Sequence, residues 1–186
     1  MLADFVKLLR PGEMVLVEYS LGSPELALLE LEGNLVVDDI LDAFPEALSR
    51  LEVMGYDVSR LLDVPVVKIG GSRRAGRVVG VVDVDRHSLD FRYYERLYSM
   101  ASPGFAINPV LGFHKLFPLL TDRELLRLIR NVASFVGRRD RVALYFVNAD
   151  VLSTRPHLWA LLRETATTVV KLEDMEVVRT LNPGLR

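Results

Sequence analysis

The sequence predicts an α/β fold, a mostly parallel sheet between two layers of helices, and three observations carry that expectation. Strand-like and helix-like segments alternate along the chain, as successive strand–helix–strand units require. The run Arg141–Val147 is almost wholly apolar, as a parallel strand buried on both faces must be. Helices open and close on clear punctuation. The plainest case is Thr121-Asp122-Arg123-Glu124, a capping box ahead of Leu125, Leu128, Ile129, Val132 and Val136, with Gly137 at the stop.

The remaining elements follow in order. Pro11-Gly12 turns the chain into a strand over 13–19, and a loop over 20–23 leads to a helix over 24–32. Ser23 is its expected N-cap, Pro24 suits its first position, Glu25 favours the positive end of its dipole, and Gly33 ends it. A strand over 34–38 precedes a helix opening near Asp42, with Leu41, Phe44, Leu48 and Leu51 at helical spacing and Gly55 at its close. Two β-rich runs, 64–69 and 77–84, flank Gly70-Gly71-Ser72-Arg73-Arg74-Ala75-Gly76 and predict an inserted β-hairpin with a basic tip. Ser88 is the expected cap of a helix carrying Phe91, Tyr94, Leu97 and Tyr98 on one face. Strands are expected around 109–113, over 167–172 and over 176–180, with a short helix over 156–164.

Composition narrows the function classes. One domain spanning 1–186 fits the length, and half of the residues are hydrophobic against 26% charged, a globular balance that excludes a disordered chain. No run of apolar residues is long enough to span a bilayer, so no membrane partner is expected. With no cysteine there is neither a disulfide framework nor a thiolate metal site, and a cytoplasmic location is the simplest expectation. A net charge of −2 supplies no global attraction for nucleic acid. The absence of Gln and Cys fits a protein from a hot environment.

Two stretches carry a resemblance to the RecA/KaiC superfamily of ATPases. The opening, Leu9-Arg10-Pro11-Gly12-Glu13-Met14-Val15-Leu16-Val17-Glu18, is similar to the strand that leads into the phosphate loop of those proteins. The second runs from Leu35 to Leu62: a strand ending in two acids, Pro45-Glu46 opening a helix, then Leu51-Glu52-Val53-Met54-Gly55-Tyr56-Asp57-Val58. Lys68-Ile69-Gly70-Gly71 looks like an archaeal KaiC-like family of unknown function. The resemblance implies a RecA-like sheet, yet the stretch Ser20, Leu21, Gly22, Ser23, Pro24, Glu25, Leu26 departs from a working phosphate loop. Glu25 stands where a lysine would meet the phosphates, Leu26 replaces the magnesium-binding hydroxyl, and Pro24 removes an amide. The strand that should end in a metal-binding acid runs into His114 instead. The implied protein is a degenerate relative without ATP, metal or other cofactor.

The resemblance also implies that Asp38 and Asp39 match an acidic pair that activates water in the ATPases; the alternative is that they cap the following turn. Arg73, Arg74 and Arg77 could contact phosphate or nucleic acid, although no aromatic residues are interleaved to stack bases. His114, Asn148 and Asp150 fall at strand ends, where open α/β sheets hold ligands. No two of His87, His114 and His157 are spaced for a shared metal. The expected function is a non-catalytic protein-binding or regulatory subunit with a protein or peptide partner, or a homo-oligomer. The alternatives are a nucleic-acid accessory protein of the recombinase-paralogue type and an enzyme using Asp38 and Asp39.

Overall fold

The computed structural model describes residues 1–84 and 90–185. Helix α1 (Leu2–Lys7) leads into β1 (Met14–Tyr19), α2 (Pro24–Glu30), β2 (Val37–Ile40), α3 (Ala43–Val53), β3 (Pro65–Ile69) and β4 (Arg77–Val82). The second half runs α4 (Phe91–Ala101), β5 (Ala106–Leu111), α5 (Asp122–Phe135), β6 (Arg141–Asn148), α6 (Ala149–Leu152), α7 (Pro156–Thr165), β7 (Thr168–Lys171) and β8 (Glu176–Thr180). The strands form one eight-stranded sheet in the order β4-β3-β2-β5-β6-β1-β7-β8, parallel except for the antiparallel edge strand β8. Apolar residues of α1, α2 and α3 pack on one face and those of α4, α5 and α7 on the other. This is the three-layer α/β/α arrangement that the alternating segments predict.

Strand β6 is buried over seven of its eight residues, as its apolar run demands, and β1 lies beside it in parallel register. The capping box of α5 forms in full: the Thr121 hydroxyl accepts from the Glu124 amide, and the Glu124 carboxylate returns to the Thr121 amide. Ser23 precedes α2, but its side chain makes no capping bond. Asp90 caps α4 by accepting from the Tyr93 amide; the expected cap Ser88, like His87, lies outside the described residues.

The inserted hairpin is corrected. Strand β4 pairs with β3 in parallel, so residues 70–76 are a return loop and not a hairpin tip. Parallel neighbours usually need a crossover of a dozen residues or more. Here seven suffice, because their extended reach of roughly 23 Å exceeds the roughly 16 Å of a five-residue strand. The loop is held from inside by Asp42, whose carboxylate accepts from the Ser72 and Arg73 amides and from Lys68. Gly71 has a positive φ, and a Cβ there would stand 2.3 Å from the Asp42 carboxylate oxygen, so only glycine admits this contact.

A second correction concerns β2. The strand runs on through Ile40, so Asp38 and Asp39 lie inside the sheet and not at a strand end. Asp39 faces α3, where it accepts the Phe44 amide at 2.9 Å and the Lys68 ammonium at 3.0 Å. Burial pushes its pKa up, and those two donors pull it back. Lys68 is itself 2% exposed and bridges Asp39 to Asp42, which its hydrogen bonds hold down at about 2 despite desolvation. Replacing Lys68 by alanine leaves Asp39 as an uncompensated buried charge. The expected loss is about 3–5 kcal/mol, read from the denaturant midpoint of Lys68→Ala. A loss below about 1 kcal/mol would show that the pair is not what holds the loop to the sheet.

Candidate functional site

Asp38 points to the opposite face from Asp39, as successive residues of a strand must. It is 3% exposed, and its Oδ2 accepts from the Tyr94 hydroxyl at 2.7 Å. That hydroxyl in turn accepts from Arg141 Nη1 at 3.2 Å, while the rest of the guanidinium binds Asp140 and stacks 3.4 Å over the Tyr98 ring. Asp38 Oδ1 has no hydrogen bond of good geometry: the nearby Asn108 amide helps to lower the Asp38 pKa but donates to the Val36 carbonyl at 2.8 Å. Asp38 lines a cavity of about 50 Å³ between the sheet and helices α4 and α5. Asn108, Arg141, Tyr94 and Tyr145 complete the polar end; the walls are aliphatic and aromatic, with Phe91 against Phe135 at 5.8 Å. A mainly apolar pocket with a few convergent polar groups is the usual form of a small-molecule site.

Electrostatics set the states of these groups. Desolvation raises the Asp38 pKa to about 6, against smaller lowering effects of Tyr94, Arg141 and Asn108. Burial also pushes the Tyr94 and Tyr145 hydroxyls well above their ordinary value, so both remain protonated donors. The folded-state pKa of Asp38 exceeds that of the unfolded chain, so the native state holds the proton more tightly. Its contribution to stability is complete below about pH 4 and is lost as pH rises through about 6. Over that window the cost reaches about 3 kcal/mol. Asp38→Asn, which keeps an oxygen for Tyr94, is expected to flatten the fall in stability between those pH values in denaturation at several pH settings. An unchanged slope would show that Asp38 does not carry it.

The other residues singled out from the sequence lie elsewhere. Ser20, Leu21 and Gly22 follow β1 as expected, but their amides are taken by Glu173 from the β7–β8 turn. Its carboxylate accepts the Ser20 amide at 2.8 Å and is drawn down by the Leu21 and Gly22 amides as well. A carboxylate of the chain's own fills the place where a phosphate loop would hold its anion. Glu25 is buried and turned to Arg50 Nε at 2.6 Å; Ser23, Pro24 and Leu26 begin α2. Asn148 caps α6 by accepting from the Asp150 and Val151 amides, so Asn148 and Asp150 serve a helix start. Arg73 donates to Ser49 and its amide to Asp42, while Arg77 begins the edge strand β4. Among the described residues no three His, Asp or Glu side chains are grouped to hold a metal ion, and no helix is long and apolar enough to cross a membrane.

Of these candidates only Asp38 reaches the cavity. Sequence reasoning missed Arg141, Tyr94, Tyr145 and Asn108 as its partners. The one available signal was a charged residue opening an otherwise apolar central strand at Arg141.

Comparison with known proteins corrects the resemblance to RecA and KaiC. Residues 4–184 match the model of a family described as Pyrococcus protein of unknown function, DUF257, and not one of the RecA/KaiC ATPases. A solved structure from Pyrococcus horikoshii OT3 is similar over 99% of this chain and 94% of its own, with 36% identity and a TM-score of 0.91. No curated protein matches. The opening stretch and Leu35–Leu62 form a buried parallel strand and a strand–helix unit, an architecture that unrelated α/β families share. Matched over almost its whole length, the chain belongs to the DUF257 family of Pyrococcus proteins.

Proposed function

We propose that this protein is a non-catalytic, regulatory ligand-binding protein whose site is the cavity above Asp38. The observation that carries this reading is one buried carboxylate oxygen without a well-formed hydrogen bond, on a residue that lines a mainly apolar pocket. Such an oxygen asks for a hydrogen-bond donor, and leaving it unsatisfied costs about 1–3 kcal/mol or more for a charged group. Arg141 already offsets the Asp38 charge, which favours a neutral ligand over a cation. The lining residues contain no Ser, Thr, Cys, His or Lys, and the tyrosines are held protonated. Asp38 is the one carboxylate in the lining, with no second acid, histidine or lysine beside it to share acid–base or nucleophilic chemistry, which argues for binding over turnover. The fitting ligand is a compact apolar molecule bearing one hydroxyl.

At about 50 Å³ the cavity is about a third of the roughly 150 Å³ that accepts benzene, so only a very small alcohol suits it. Ethanol is expected to raise the melting temperature in a saturable way, whereas propane, which has methyl in place of hydroxyl, does not. At a hundred times its Kd the alcohol adds about 2.7 kcal/mol of stability, a shift of several degrees. Asp38→Leu, which leaves neither acceptor nor donor at that position, removes the difference between the two. Failure of both probes to stabilise the wild-type protein, or equal stabilisation by both, would overturn the reading.

A second reading, a protein or peptide partner or a second copy of the chain, is favoured by the two sheet edges. Strands β4 and β8 each pair on one side only, and Val81 and Val178 stand exposed on them. Light scattering across a concentration series is expected to detect self-association under this reading, and a Val178→Lys substitution is expected to weaken it. A constant monomer mass would remove the second-copy form.

A further inference from the structure

At the carboxyl edge of β1, β5 and β6 a separate pocket of about 50 Å³ lies between α2, α3 and the turn over 112–116. Two of its lining residues carry a buried polar atom without a partner. Glu25 is 6% exposed, and while its Oε1 takes Arg50, its Oε2 is bare. His114 Nδ1 is the second. The Phe146 carbonyl acts on the His114 ring, and with Nδ1 unpartnered we assign the ring proton to the other nitrogen. Burial, helped by Lys115, lowers the ring's pKa to about 4, so at neutral pH the ring is uncharged and in this tautomer Nδ1 is an acceptor. Two acceptors thus sit on residues that line one small space.

The chemistry that satisfies them is narrow. An anion is refused by both atoms. A metal ion would find only these two groups, because among the described residues no three ligating side chains share a point. A cation would enter a pocket whose charges are already matched, Glu25 by Arg50 and Glu46 by Lys115. What remains is a neutral group with two N–H donors on one nitrogen. We propose that this pocket binds a primary carboxamide, its amino group donating to Glu25 Oε2 and His114 Nδ1. Tyr19 lines the same pocket, with its ring edge-on to His114 at 6.0 Å. Burial and the neighbouring Glu25 keep its hydroxyl protonated up to about pH 12, so it can donate to the amide carbonyl.

The site is distinct from the Asp38 cavity, with which it shares no lining residue, so either proposal can fail alone. Ligand-observed NMR on the full chain tests it with acetamide, N,N-dimethylacetamide and methylammonium as probes. Acetamide is expected to bind saturably, and the dimethyl compound, which lacks N–H groups, is not. His114→Phe keeps the aromatic contact but removes the acceptor, and is expected to weaken acetamide about tenfold, the effect of one lost hydrogen bond. Glu25→Gln gives a similar loss by a different route, since its amide oxygen goes to Arg50 and its amino group faces the ligand's donors. Equal binding of acetamide and N,N-dimethylacetamide, preference for methylammonium, or a crystal soaked in acetamide that retains only a bridging water would each overturn the proposal.

Discussion

The fold turns on two adjacent carboxylates in the middle of a buried strand. Asp38 and Asp39 point to opposite faces of β2, so each helical layer must bring its own answer to a buried charge. On the α3 face the answer is complete: an ammonium, a helix-start amide and, through Lys68, the loop that returns the chain to β4. On the α4–α5 face it is incomplete, and the residue short of a hydrogen bond lines a cavity. The difference between the two faces separates a structural device from a candidate site.

The same logic governs the carboxyl edge of the sheet. The amides after β1 form the kind of nest that holds a phosphate, but Glu173 occupies it. Beside it Glu18 is buried and clasped by Arg163, whose guanidinium stacks 4.1 Å from the Trp159 ring. Anion chemistry at this edge is thus answered internally, and what stays unanswered are acceptors. Both candidate pockets call for donors from the ligand, a shared character set by which carboxylates the chain buries and which cations it supplies beside them.

The conformational cost of these arrangements is concentrated at the end of β2. Leu41 and Asp42 both take positive φ, a region disfavoured for residues other than glycine. Asp42 repays it with three hydrogen bonds, and the Leu41 carbonyl accepts from Lys115 at 3.0 Å. Nearby, Gly112 lets the chain after β5 pass β2, since a Cβ there would stand 2.2 Å from the Ile40 carbonyl oxygen.

The alternating segments, the apolar β6 run and the Thr121 capping box determined the layers and the class of sheet, because hydrophobic period and capping act over a few residues. Pairing direction was beyond that reach. The glycine-rich stretch 70–76 reads locally as a hairpin tip, and only the capture of its amides by Asp42, about thirty residues earlier, makes it a return to a parallel strand. Asp38 was visible as an acid on a strand. Its meeting with Tyr94, some fifty residues away, and with Arg141, some hundred residues away, follows from helix packing and strand order. A carboxylate's state depends on which donors the tertiary fold carries to it, and no spacing within the chain records that.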